Sequence, residues 1–89
     1  MTTAVIENVT SCLIAASEIH IPDPYEPDNH TAKANLAGLT VSIIALGMLE
    51  PIRVRRDGHR HVLLDGAKRL RACADAGVVQ VPTLVVETD

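Results

Sequence analysis

The stretch from Val62 to Ala72 constrains this chain more than any other. An apolar run ends at Asp65-Gly66, and a helix-forming segment carrying Lys68, Arg69 and Arg71 begins at once. The pattern predicts a strand, a glycine turn and a helix N-terminus. Free backbone N–H groups and the positive end of the helix dipole meet at such a point, and both favour an anion. Cations in a first helical turn are disfavoured by roughly 0.3–1 kcal/mol each. Lys68 and Arg69 there read as groups with a phosphate or carboxylate to meet. The competing reading has Asp65 capping the helix and neutralising its neighbours on a solvated face.

Charge is distributed to match. The net charge is −3, yet residues 51–71 hold seven of the eight Lys and Arg residues. A basic block on an acidic body suits a small anionic ligand better than a long nucleic-acid backbone. The alternative is a hairpin decorated with charge on its solvent face. Tyr25 is the only aromatic residue, which argues against single-stranded nucleic-acid modules, since these stack bases on rings. The core must then come from Val, Ile, Leu and Ala. With 89 residues it is a thin one in a single domain, for which a protein partner or a homo-oligomer would be useful support. Cys12 and Cys73 share no close spacing and read as reduced, buried small hydrophobes. No signal-like N-terminus and no membrane-spanning apolar run is present, so a cytoplasmic location without membrane contact is expected.

Along the chain, residues 1–17 are apolar without clean periodicity. Val5-Ile6 and Cys12–Ala15 read as short strands or as part of an N-terminal arm, ahead of a domain at 18–89. Glu18–Ile21 is a short strand halted by Pro22. Pro22, Pro24 and Pro27 then force an extended, stiff loop. Residues 31–46 predict a helix with an inward stripe of Leu36, Leu39, Ile43 and Leu46, capped by Thr31 or Asn29 and ended by Gly47, with Met48-Leu49 turning back over its last turn. Ile52–Arg55 alternates as a strand, and Asp57-Gly58 signals a hairpin returning through His61–Leu64. His59 and His61 would share a strand face, but with no third ligand nearby they make a poor metal site. A second helix at 67–76 should turn Leu70, Cys73, Ala74 and Gly77 inward, with Gly77 as its C-terminal cap. A last strand follows within 78–86, placed by Pro82 at a sheet edge or just before the strand proper. The class is α/β (α+β), a small mixed sheet with two main helices.

These segments, in this order, resemble the ParB/sulfiredoxin fold and in particular the N-terminal domain of ParB-family partition proteins. The matching residues are Asp23-Pro24-Tyr25-Glu26-Pro27, Leu39 with Ser42-Ile43, and Gly47-Met48-Leu49-Glu50-Pro51-Ile52-Arg53-Val54. They continue as Gly66-Ala67-Lys68-Arg69-Leu70-Arg71-Ala72, Ala76-Gly77 and Val81-Pro82. The resemblance implies a nucleotide- or phosphate-binding regulatory module, plasmid- or phage-borne and linked to DNA partition. CTP or ATP with Mg2+ would be held by Gly66, Lys68, Arg69 and Arg71, with Tyr25 and Glu26 of the proline-rich loop at the base. The family's usual Glu is Ala67 here, and the Gln and Arg of its proline-rich loop are Glu26 and Asp28.

Those substitutions support an alternative: a protein–protein interaction domain whose nucleotide site has decayed. A third reading is a small nucleotide hydrolase, kinase or nuclease, for which no catalytic residue can be named; whether the chain is an enzyme is left open, with the balance against. Without a helix-turn-helix region, the chain by itself is not expected to bind DNA sequence-specifically. Sulfiredoxins carry a catalytic Cys in a G-G-C-H-R loop, where this chain has Ala67. Cys73 falls on the apolar side of the helix, so sulfiredoxin chemistry is not expected.

Overall fold

Alternation decides the centre of the sheet. Ile52 and Val54 are fully buried while Arg53 and Arg55 between them are exposed, the period-two signature of a strand with one covered face. The computed structural model describes residues 8–48 and 50–87. Eight residues, Asn8–Ala15, form β1, and a 3-10 turn at Ala16–Glu18 leads into β2 (Ile19–His20). Then come α1 (His30–Leu46), β3 (Ile52–Asp57), β4 (Arg60–Asp65), α2 (Ala67–Asp75) and β5 (Gln80–Glu87). The sheet order is β1-β5-β3-β4-β2. β1 pairs with β5 and β3 with β4 antiparallel, whereas β5 runs parallel to β3 and β2 parallel to β4. The α/β class with a small mixed sheet and two helices is as expected.

One core holds both layers together. Leu36 and Ile43 of α1 and Leu70 and Cys73 of α2 join Ile52, Val54, Val81 and Val85 of the sheet. Thr83 is the one buried polar residue among those described, and its hydroxyl donates to the Val81 carbonyl at 2.8 Å. That internal bond removes the cost of an unpaired buried group. Asn29 caps α1 through its side chain, accepting from the Ala32 N–H at 2.8 Å. The Schellman bonds Val78 N–H to Cys73 O (2.9 Å) and Gly77 N–H to Ala74 O (3.1 Å) close α2, with Gly77 at φ 78°. The β3–β4 turn is Gly58-His59, with only Gly58 at positive φ (62°), the arrangement of a II′ turn.

Several expectations need correction. Cys12 is exposed, because β1 is an edge strand and little packs against it. Leu46 is 67% exposed, so the buried stripe of α1 ends at Ile43. In α2 the buried residues are Leu70, Ala72 and Cys73; Ala74 and Gly77 are exposed. Ala74 faces the proline-rich loop across a groove, and Gly77 lies past the helix end. Pro82 is inside β5, an interior strand, but the β3 ladder begins only at Thr83. Pro82 therefore sits where β5 is flanked on one side alone, and its missing N–H costs the sheet little. His59 lies in the turn and His61 on β4, so they do not share a strand face. Among the described residues no three potential metal ligands converge, and no helix is long and apolar enough to cross a membrane. Val5-Ile6 and Leu49 lie outside the described residues.

The outward side of α1 is unusual. Ala34, Ala37, Gly38, Val41, Ile44 and Ala45 are all exposed, an uncharged stripe opposite the buried Leu36 and Ile43.

Candidate functional site

β4 runs out at Asp65, and Gly66 turns the chain into α2 with φ 105° and ψ 26°. Only glycine tolerates this position. A Cβ there would lie 2.8 Å from Ile52 Cγ2 and 3.2 Å from Arg69 Nη2, and the left-handed conformation is itself disfavoured for other residues. Ile52 is fully buried and cannot move aside. The close approach thus seats the helix start directly on the central strand.

Gly66 is also the N-cap, and no side chain caps α2. The proposed cap, Asp65, does not act as one: its carboxylate turns to Arg69 Nη2 at 3.4 Å instead. With Leu70 N–H donating to Gly66 O at 2.8 Å as the first helical bond, the N–H groups of the preceding turn stay open to a ligand or solvent. A cavity of about 280 Å³ opens at this point, lined by Pro22, Asp23, Asp65, Gly66 and Ala67 among others.

The three cations of the helix start diverge. Residues two apart on a helix are separated by roughly 200° around the axis, so Arg69 and Arg71 serve opposite sides of α2. Arg69 donates to Glu50 Oε2 at 2.9 Å as well as to Asp65. It borders a cavity of about 340 Å³ beside the C-terminal end of α1, together with Ser42, Met48 and Glu50. Its Nε is buried without a partner among the described residues. Arg71 turns to the proline-rich loop: Nη1 donates to Glu26 Oε1 at 3.1 Å and to the Tyr25 carbonyl at 3.3 Å, and Nε to Asp75 at 3.3 Å. Glu26, then Asp75, hold its pKa above the ordinary arginine value. Lys68 is half-buried and has no ion pair among the described residues.

Of the residues singled out from sequence, Gly66, Lys68 and Arg69 therefore cluster at the helix start, while Arg71, Tyr25 and Glu26 form a second group. The groups meet at Ala67. It lines both the cavity at the helix start and a groove of about 320 Å³ whose walls include Ile21, Tyr25, Glu26, Leu70 and Arg71. Sequence reasoning missed the role of Glu50 and Asp75 as intramolecular counterions, whereas the competing reading of Asp65 as a neutraliser of its neighbours matches its pairing with Arg69. For Asp75 the i,i+4 spacing from Arg71 was the available signal. Glu50 had none, because it is 19 residues from Arg69.

Comparison with known proteins gives a consistent result. The family model described as "ParB N-terminal domain" matches residues 2–89. Stage 0 sporulation protein J of Bacillus subtilis is 36% identical over 66 residues, covering 74% of this chain but only 23% of that protein. The chain thus spans about a quarter of such relatives. Among solved structures, the C-terminally truncated chromosome-partitioning protein ParB from Caulobacter crescentus, complexed with CTP-gamma-S, superimposes with a TM-score of 0.72. It is 29% identical, and the match covers 90% of this chain and 46% of that one. Sulfiredoxin from Arabidopsis thaliana matches with a TM-score of 0.74 at 18% identity, over 85% of this chain and 83% of its own; at that identity the likeness is one of fold.

Proposed function

The chain belongs to the ParB N-terminal domain family, and from that premise we propose that it is a ParB-like regulatory module binding the phosphates of a nucleotide at the start of α2. The observation that carries this reading is the uncapped helix N-terminus behind Gly66, with Lys68 beside it and without an ion pair among the described residues. Open N–H groups, the helix dipole and the Lys68 ammonium all act in the same direction. The solved relative complexed with CTP-gamma-S makes CTP the first nucleotide to test, with ATP second. The groove beside Tyr25, Glu26 and Arg71 shares Ala67 with the cavity at the helix start and would take the nucleoside. Asp23 and Asp65 border the phosphate end, so Mg2+ bound with the polyphosphate would offset their repulsion.

The arginines are engaged but not locked. Glu50 and Asp65 are 77% and 69% exposed at their side chains, and ion pairs of that kind contribute only about 0–1 kcal/mol each. A polyphosphate could therefore displace them from Arg69. Glu26 is similarly exposed and could yield Arg71.

The test is thermal unfolding of the purified chain titrated with CTP, ATP, GTP and inorganic phosphate, with and without Mg2+. A ligand at about 100 times its dissociation constant adds roughly 2.7 kcal/mol, about 10 °C or more for a domain this small. Lys68→Ala should remove most of that shift without changing the melting point of the free protein. No shift with any ligand overturns the proposal. A specific observation favours a second reading, an interaction domain: the exposed uncharged stripe on α1, which would make partner binding the chain's main role.

A further inference from the structure

The two edges of the sheet are treated differently. β2 is two residues long, with Glu18 before it and Pro22 soon after. Those are devices that keep an edge from pairing with another chain. β1 is long instead: it has eight residues, and no charged residue, proline or glycine lies within it, although Glu7 precedes it in sequence as Glu18 precedes β2. Its ladder to β5 runs without a bulge from Asn8↔Glu87 to Ala15↔Gln80. Val9 and Leu13 are 49% and 62% exposed, and Cys12 is exposed too. Among the described residues no strand lies on the side of β1 away from β5, which presents an uncharged, partly apolar row of backbone donors and acceptors.

From this contrast we propose that β1 pairs antiparallel with β1 of a second copy of this chain, joining two five-stranded sheets into one of ten. The occupant follows from charge and symmetry. A strand without charges meets itself without opposing like charges, and an antiparallel strand pair is two-fold symmetric. The two-fold lies perpendicular to the sheet and keeps the helices of both copies on the same side. It pairs residues of like parity, because alternate side chains point to alternate faces. The register is therefore centred on Cys12 or on Ser11. Centred on Cys12, it sets Ser11 opposite Leu13 of the partner and Thr10 opposite Ile14 of the partner. The surface involved is small beside the roughly 800 Å² per partner of a standard interface, so association belongs at about 10 µM to 1 mM.

Sedimentation velocity across that concentration range, with cross-linking, tests the proposal. The chain should shift from monomer to dimer. Ser11→Lys and Ser11→Glu should each weaken the dimer by about fivefold or more, because either sign repels its own copy across the two-fold. An unrelated charged contact would be weakened by one variant and strengthened by the other. Ser11 is exposed, and circular dichroism verifies that both variants fold. Paired residues across the two-fold have Cα atoms about 4.5–5.5 Å apart, within disulfide range. Mild oxidation should thus give a Cys12–Cys12 dimer in one register. The double variant Ser11→Cys, Cys12→Ser should give one in the other. A chain still monomeric at about 1 mM overturns the proposal. So does a dimer indifferent to both charge variants and cross-linked through neither position, which would belong to the stripe on α1.

Discussion

Gly66→Ala is the substitution whose cost the geometry defines most directly. The residue stands at φ 105° and a new Cβ would sit 2.8 Å from Ile52 Cγ2 and 3.1 Å from Ile52 Cβ. Holding an L-residue in the left-handed region costs roughly 1–2 kcal/mol. Forcing a methyl into a filled core costs a further 1–3 kcal/mol or so, and Ile52 is 0% exposed. The expected loss is about 2–5 kcal/mol, a large part of what a domain of 89 residues commonly has. Thermal or urea unfolding followed by circular dichroism should show a melting point lower by about 8 °C at the least. A double-mutant cycle with Ile52→Ala separates the two causes: the overpacking component should disappear in the double variant while the backbone component remains. A fall of under about 4 °C for Gly66→Ala, or strict additivity in the cycle, refutes the idea that the helix start is seated on Ile52.

Asn29→Ala removes the side-chain cap of α1 and should cost about 1 kcal/mol in urea unfolding; an unchanged midpoint would mean that water replaces the cap fully. Arg71→Ala should release the proline-rich loop from α2 by deleting its bonds to Glu26 and the Tyr25 carbonyl. Since Tyr25 is the sole fluorophore of its kind, its quenching by iodide should rise, and unaltered quenching would count against the tether. Burial pushes the Cys73 thiol pKa up, so the folded state keeps that proton to higher pH than the unfolded chain does. The associated stabilisation is complete below the ordinary thiol range and declines as pH rises through and beyond it. Stability measured from neutral to alkaline pH should fall less in Cys73→Ser once its lower baseline is subtracted. In the native protein iodoacetamide should label Cys12 and spare Cys73.

Much of the architecture was legible because local signals agreed with one another. The α1 stripe as far as Ile43, the hairpin signalled by Asp57-Gly58, the Gly77 cap and the strand–glycine–helix passage each carry a short-range pattern that the structure follows. What failed was information that sits outside the segment concerned. Whether Cys12 is buried depends on what packs over β1, and nothing in Cys12-Leu13-Ile14-Ala15 reports that. Pro82 reads as an edge residue by its chemistry, yet its strand is interior and accommodates it because the neighbouring ladder starts one residue later. At the helix start, the positions of Gly66, Lys68 and Arg69 followed from spacing. The pairing of Arg69 with Glu50 required the tertiary fold.

The strand order has a consequence for how the chain is made. β5 is the last strand to be synthesised, yet it lies between β1 and β3. Until residues 80–87 emerge from the ribosome, β1 has no neighbour and the β3–β4 hairpin has lost its inner flank. Val81 and Val85, which are needed to close the core, are not yet present. Folding of this domain is therefore expected to finish only after residues 80–87 have been made, limited by insertion of one strand into a waiting gap. Because Asn8 and Glu87 end side by side, a short linker joining the two ends and a break in the Gly58-His59 turn would reorder synthesis so that β5 leads directly into β1. In a permuted chain of that kind β3, made after α1, becomes the last strand to arrive, and the gap it fills lies between β5 and β4.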